Sequence, residues 1–110
     1  MTKKNYIDFC KSFINAKIDQ PFNKNFLTYA ARHSDSGKWF ALIMEYNGKT
    51  IANLKCEPIQ ADFLRSIYKG VTPAYHMNKI HWNTVYLDSD VPDEEIKAMT
   101  IDSFNLTDKK

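Results

Sequence analysis

The first hydrophobic pattern in the chain has the period of a helix. Its apolar positions are Tyr6, Phe9, Cys10, Phe13 and Ile14. They share one side of an amphipathic helix over residues 3–17, with lysines on the other side. Asp19-Gln20-Pro21 then breaks the pattern, so we predict that the helix ends before this segment.

From residue 25 to residue 57 the hydrophobic period becomes two, which indicates strands. Asn47-Gly48 predicts a type I′ hairpin, because both turn positions need a positive φ. This turn pairs Tyr46 with Lys49 and extends the ladder back to Trp39 opposite Cys56. The core face would then hold Trp39, Ala41, Ile43, Ala52, Leu54 and Cys56, and the less buried face Phe40, Leu42, Met44 and Tyr46. A preceding strand is expected over Leu27–His33.

The second half of the chain predicts two more helices and a second hairpin. Pro58 suits the first position of a helix, and Gly70 suits its end. The apolar face of this helix would consist of Ile59, Phe63, Leu64, Ile67 and Tyr68. Residues 74–87 return to β character, with a turn near Asn78-Lys79, and Pro92 opens the last helix.

These elements follow the order α-β-β-β-α-β-β-α. We therefore predict an α+β fold with an antiparallel sheet of about five strands and helices on one face. The chain shows neither an internal repeat nor a Pro/Gly-rich linker, so residues 1–110 are expected to form one domain, acting as a monomer.

Composition narrows the function classes. No apolar run approaches the roughly 20 residues of a membrane helix, and the N-terminus lacks the apolar region of a secretory signal. We expect a cytoplasmic protein without a membrane partner, in which Cys10 and Cys56 are reduced, buried thiols. Residues 65–83 carry three cations and no acid, whereas residues 84–110 have a net charge of −4.

Patterns that carry catalysis are missing. The three glycines sit at turns or helix ends, so the chain lacks a Gly-rich phosphate loop. His76 and His81 are five residues apart, which is not a usual metal-ligand spacing, and we expect hydrogen-bonded imidazoles instead. We expect a protein that is not an enzyme and has no cofactor and no metal.

The stretch from Pro73 to Asp88 is the most unusual part of the sequence. PAYHMNKIHWNTVYLD contains two histidines, a tryptophan, two tyrosines and two asparagines, and its only acid is the last residue. Cations and amides can contact phosphates, and exposed aromatic rings can stack on bases. The alternative is a packed strand in which Trp82, Val85 and Tyr86 belong to the core and the asparagines hold a turn.

The run from Pro73 to Asn83, with GKWFALI and LKCEP upstream, resembles the MmcQ/YjbR family over nearly the whole chain. The resemblance implies a small α+β fold similar to that of frataxin and CyaY. It also implies DNA binding through two β-hairpin wings, the first at Asn47-Gly48 and the second at residues 76–83. A frataxin-like iron site is not expected, because residues 3–17 offer a single acid, Asp8.

We therefore expect a nucleic-acid-binding protein that makes mostly backbone contacts to DNA, with RNA left open. The candidate site consists of Tyr75, His76, Asn78, Lys79, His81, Trp82 and Asn83, extended by Lys49, Lys55 and Arg65. The alternative is a protein-interaction module that uses Tyr75 and Trp82 as an aromatic surface for a protein partner.

Overall fold

A computed structural model describes residues 1–22, 24 and 26–108. The elements, in chain order, are α1 Lys3–Lys11, β1 Ala16–Asp19, β2 Tyr29–His33, β3 Trp39–Tyr46, β4 Lys49–Lys55, α2 Pro58–Ile67, β5 Val71–Pro73, β6 Trp82–Tyr86 and α3 Asp93–Thr107. The six strands form one antiparallel sheet in the order β1-β2-β3-β4-β6-β5. The predicted α+β class is confirmed, with one strand more than expected.

The additional strand lies where the sequence predicted the end of the first helix. The side chain of Thr2 caps α1 by accepting a hydrogen bond from the Asn5 amide at 3.1 Å, and the helix ends at Lys11 rather than at residue 17. Asn15 then adopts a left-handed conformation, with φ of 55°. The chain reverses there and pairs Ala16 with His33, so the short apolar alternation that follows forms a strand.

The predicted hairpin between β3 and β4 is confirmed. Asn47 and Gly48 both have positive φ, and Tyr46 pairs with Lys49. The ladder reaches only Leu42 opposite Asn53, so the predicted pairing of Trp39 with Cys56 is wrong.

A bulge between β2 and β3 lies beside the end of this ladder. Ala31 pairs with Ala41 and Arg32 with Trp39, which leaves Phe40 as the additional residue. The side chain of Phe40 is fully buried, whereas Trp39 is half-buried, with its ring 5.8 Å from the Arg32 guanidinium. The bulge thus reverses the predicted burial of these two aromatic residues.

All three helices pack on one face of the sheet, which we call the core face. The core joins Tyr6 and Cys10 of α1, Leu64 of α2, and Ile96 and Met99 of α3 to alternate strand residues. The strand residues of this core include Ala31, Ala41, Ile43, Ala52, Leu54, Val71 and Val85.

Helix α2 begins at Pro58, as predicted, but turns most of its apolar side away from the sheet. Ala61 and Leu64 are buried, whereas Ile59, Phe63 and Ile67 are 87%, 54% and 49% exposed. We call these three residues the α2 stripe. Of the predicted apolar face, these three residues are thus exposed and Leu64 is buried, and the helix contacts the sheet through Ala61 and Leu64.

The end of α2 also differs from the prediction. The helix ends at Ile67, three residues before Gly70, so this glycine is not its cap. A β-carbon at Gly70 would collide with the Ser89 side chain. Gly70 therefore permits the close approach of the segment that follows β6.

The second predicted hairpin is wider than expected. Strands β5 and β6 pair from Val71 opposite Val85 to Pro73 opposite Asn83. Residues 74–81 lie outside both strands and form a connecting loop, the 74–81 loop, instead of a tight turn at Asn78-Lys79. The loop folds over the sheet face opposite the helices, the loop face, which carries alternate residues of three strands: Leu42, Met44, Tyr46, Ile51, Asn53, Trp82, Thr84 and Tyr86.

Candidate nucleic-acid interface

A buried hydrogen-bond network holds the 74–81 loop against the loop face. The amide N–H of Tyr75 donates to Thr84 Oγ1 at 2.8 Å, and Thr84 Oγ1 donates to Asn53 Oδ1 at 2.5 Å. Asn53 Nδ2 closes the network by donating to the Tyr75 carbonyl at 2.9 Å. Both backbone groups of Tyr75 are thus fixed by two buried side chains, which sets the position of its ring.

The Tyr75 ring is the centre of an aromatic row, which we define as Tyr46, Tyr75 and His76. Ring centroids are 4.2 Å apart between Tyr46 and Tyr75, and 3.9 Å apart between Tyr75 and His76. The tyrosines are half-buried and the histidine is exposed. His76 has a φ of 63°, an unusual conformation for a residue with a side chain, and it lies directly beside the Tyr75 ring.

Arg65 anchors the other end of the loop through its Nε and Nη2 groups, which are therefore not free to bind a ligand. Its Nε donates to Asn83 Oδ1 at 2.7 Å, and its Nη2 donates to the carbonyls of Lys79 and Trp82. Asn83 is buried, and its amide also donates to the Ala61 carbonyl of α2 at 3.4 Å. Two of the candidate site residues, Arg65 and Asn83, therefore join α2 to the loop.

Two further candidates hold the loop from within. Asn78 Oδ1 accepts hydrogen bonds from the amides of Ile80 at 2.9 Å and His81 at 3.2 Å. Lys79 Nζ donates to the Ala74 carbonyl at 2.9 Å. An asparagine that accepts backbone N–H groups and a lysine that caps a carbonyl stabilise the turn of the loop.

Trp82 and Lys55 lie at the opposite end of the site from the aromatic row. They face each other across β4 and β6, and both are half-buried. The two rings with which Tyr75 is in contact, among the described residues, are Tyr46 and His76. The structure thus separates Tyr75 from Trp82, which the sequence combined in one aromatic surface.

Lys49 lies next to the aromatic row, directly after the β3–β4 turn, and is exposed. Its ammonium has neither a hydrogen bond nor an ion pair within residues 1–22, 24 and 26–108. Beside it is a cleft of about 510 Å³, which we call the Tyr86 cleft. The cleft is lined by Asn47, Lys49, Lys69, Gly70, Thr72, Tyr86 and the 88–90 segment.

The two acidic residues of this cleft, Asp88 and Asp90, differ in whether their carboxylates are already hydrogen-bonded. Hydrogen bonds from the amides of Lys69 and Gly70, at 2.8 and 2.7 Å, lower the pKa of Asp90. Both carboxylate oxygens of Asp90 are thus engaged with backbone, and Asp88 is exposed. Lys49 and Lys69 contribute two positive charges on the other sides of the cleft.

Neither of the two candidate histidines makes a side-chain hydrogen bond among the described residues, so that prediction is wrong. His81 binds through its backbone carbonyl, which accepts from the Cys56 amide at 2.8 Å. His33 is instead the buried imidazole, 2.9 Å from the Thr107 hydroxyl. Within the described ranges, no three His, Cys, Asp or Glu side chains form a metal-binding group.

The two cysteines are free thiols, and the described helices include none that is long and apolar enough to cross a membrane. Cys10 is buried, as predicted, and burial raises its pKa to about 12. Cys56 is a free thiol as predicted but is only half-buried, so the predicted burial of this residue is wrong. Its pKa is raised by burial and by the nearby carboxylates of Asp102 and Glu57.

Sequence reasoning missed several residues that shape the site. Asn53 and Thr84 looked like ordinary strand positions, and no local signal indicates that they hold a loop. Tyr46 and Tyr86 carried a usable signal, because the period of two places both on the less buried face of the sheet.

The YjbR family model matches residues 11–106. An uncharacterised protein of Bacillus subtilis, YyaQ, is 32% identical over 97% of this chain and 98% of its own length. The uncharacterised Escherichia coli protein YjbR is 42% identical over 52% of this chain and 48% of its own length.

Two crystal structures have a similar fold. One, of a Pseudomonas syringae protein, has a TM-score of 0.88 and 37% identity, covering 97% of this chain and 99% of that chain. The other, of the Deinococcus radiodurans protein DR2400, has a TM-score of 0.86 and 27% identity, covering 99% of this chain and 80% of that chain.

Proposed function

The chain belongs to the YjbR family, and we propose that it binds nucleic acid on its loop face. The observation that carries the proposal is the aromatic row beside the ammonium of Lys49, which is unpaired among the residues that the structure describes. Aromatic rings held on a sheet face offer flat surfaces to bases, and a nearby cation offers a contact to phosphate. The protein acts as a cytoplasmic monomer, by binding and without catalysis.

The candidate residues have different roles, depending on whether their side chains are already hydrogen-bonded within the protein. Tyr75, His76 and Lys49 form the contact surface, with Tyr46 added to it. Arg65, Asn78, Lys79 and Asn83 position the loop through the hydrogen bonds described above. His81, Trp82 and Lys55 lie toward the other end of β4 and β6 and extend the surface for a longer ligand.

The available charge predicts modest affinity. Few cations of the loop face are free to neutralise phosphates, and each phosphate contact contributes to the salt dependence of binding. Binding is therefore largely independent of sequence and weakens by roughly ten-fold for every two or so phosphates contacted when salt rises from about 50 to 200 mM.

The proposal is tested by fluorescence anisotropy with labelled random oligonucleotides, single-stranded and duplex, at both salt concentrations. Lys49→Glu should lower the affinity at least five-fold and reduce the salt dependence. Lys11→Glu is the matched control, because Lys11 is also exposed but lies at the end of α1, on the side of the core face. Equal losses in the two variants, or no binding by the unmodified protein at the lower salt, would contradict the proposal.

A protein-interaction function is the second candidate, and the α2 stripe favours it. The sequence suggested an aromatic surface of Tyr75 and Trp82, but both of these residues are half-buried, whereas the three residues of the α2 stripe are exposed. Exposed apolar patches often mark protein interfaces. If Phe63→Asp abolishes capture of a defined partner while Lys49→Glu retains it, this second function is favoured over nucleic-acid binding.

A further inference from the structure

Building on the proposed function, we infer that the ligand is single-stranded and that one unpaired nucleotide occupies the Tyr86 cleft. The MmcQ/YjbR resemblance implies two wings that approach DNA. The short projection of the β3–β4 hairpin, the three adjacent aromatic rings and the lining of the cleft favour a single strand over a duplex.

The hairpins do not project as wings. The amide of Leu87, just after β6, donates to the Thr50 carbonyl at 3.2 Å. On its β6 side, the β3–β4 hairpin therefore extends past the adjacent segment by little more than the Tyr46–Lys49 pair. One residue pair corresponds to roughly 3.4 Å of strand. The 74–81 loop is fixed to the rest of the protein at Tyr75, by Asn53 and Thr84, and at Lys79, by Arg65. The projection of the hairpin is short compared with a groove about 8 Å deep, and the loop is tied to the protein at two points.

The aromatic rings favour unpaired bases. In a duplex the faces of the bases are hidden by stacking, and only their edges are accessible in the grooves. In a single strand each base has a free face that stacks on a tyrosine or histidine ring, and this stacking does not depend on protein charge. A surface with few free cations but three adjacent rings therefore gains more from a single strand than from a duplex.

The Tyr86 cleft has the size and the chemistry for one nucleotide. Its volume of about 510 Å³ lies within the range of small-molecule sites. Tyr86 lies on the loop face and offers a ring to the base, while Lys49 and Lys69 are placed for the adjacent phosphates. The carboxylates of Asp88 and Asp90 would both repel a phosphate, and the exposed carboxylate of Asp88 can accept hydrogen bonds from a base amino group.

The experiment compares a labelled 12-nucleotide single strand with the duplex of the same sequence, by anisotropy at about 50 mM salt. We expect the single strand to bind at least ten-fold more tightly. Tyr86→Leu should weaken single-strand binding by five- to 100-fold, the usual range for loss of one stacked base. Tyr86→Phe keeps the ring and should remain within about three-fold of the unmodified protein.

The controls separate this inference from the proposed function. Phe63→Leu removes an exposed ring from the α2 stripe and should leave both affinities unchanged. Circular dichroism checks that each variant is folded. Duplex binding equal to or tighter than single-strand binding would overturn the inference while the proposed function stands. Unchanged single-strand affinity in Tyr86→Leu would overturn the assignment of the nucleotide to the cleft. If the unmodified protein binds neither the single strand nor the duplex, the proposed function itself is contradicted.

Discussion

The network around Asn53 makes a quantitative prediction about the 74–81 loop. Asn53→Leu keeps a similar volume but removes the donor to the Tyr75 carbonyl and the acceptor of the Thr84 hydroxyl. Asn53 is fully buried and Thr84 is 1% exposed, so these groups lose partners that water cannot easily replace. An unsatisfied buried polar group costs about 1–3 kcal/mol, so the variant should lose about 2–4 kcal/mol of unfolding free energy.

Urea denaturation measures this loss. With a urea dependence of about 2 kcal/mol per molar, the middle of the usual range, the midpoint should fall by roughly 1–2 M. Thr84→Val and the double variant complete a thermodynamic cycle, in which the double variant should cost less than the sum of the single variants because the same network is broken. A loss below about 0.5 kcal/mol for Asn53→Leu, or strict additivity, would refute the reasoning.

Three further predictions concern packing, pH and thiol reactivity. Leu64→Ala should cost about 2–5 kcal/mol by urea denaturation, whereas Phe63→Ala on the α2 stripe should cost less than about 1 kcal/mol; equal costs would mean that α2 is oriented differently. Because the pKa of Asp90 is lowered in the folded protein, the ionised carboxylate stabilises the fold at pH values above the ordinary carboxyl pKa, and this stabilisation is lost as the pH falls below about 4. The difference in unfolding free energy between the unmodified protein and Asp90→Asn should therefore disappear at low pH, and a difference that stays constant with pH would contradict the prediction. A thiol reagent should modify Cys56 in the native protein and Cys10 only after unfolding, and rapid modification of both would contradict the burial of Cys10.

The parts of the fold that sequence predicts are those with a local physical cause. Asn47-Gly48 specifies its turn because few other residues tolerate two successive positive φ angles. Pro58 begins α2 because a missing N–H costs nothing at that position. The period of two in β3 and β4 follows from the pleat, and it correctly separates Ile43 from Met44.

The parts that sequence missed depend on contacts between distant segments. Strand β1 exists because it pairs with β2, and four residues are too few for a clear period. The burial of Phe40 depends on a bulge opposite β2. The orientation of α2 is set by Ala61 and Leu64 against the sheet, although the α2 stripe is more apolar. In each case tertiary packing overrides the local pattern.

The candidate site also combines features that follow from the local sequence with features that depend on contacts between distant segments. The composition of residues 73–88 directed attention to the segment that forms the 74–81 loop. It could not separate Lys79, whose ammonium caps a carbonyl, from Lys49, whose ammonium is unpaired among the described residues. That difference arises from the folded path of the loop across Asn53 and Thr84, which lie 22 and 9 residues from Tyr75 in sequence.

Mapping of the bound surface by nuclear magnetic resonance tests the central claim most directly. A ¹⁵N-labelled sample is titrated with a 12-nucleotide single strand, and the amide shifts are followed residue by residue. Binding on the loop face predicts that the largest changes lie at Tyr46, Lys49, Tyr75, His76 and Tyr86. Changes confined to the α2 stripe, or none at millimolar oligonucleotide, would contradict nucleic-acid binding on this face.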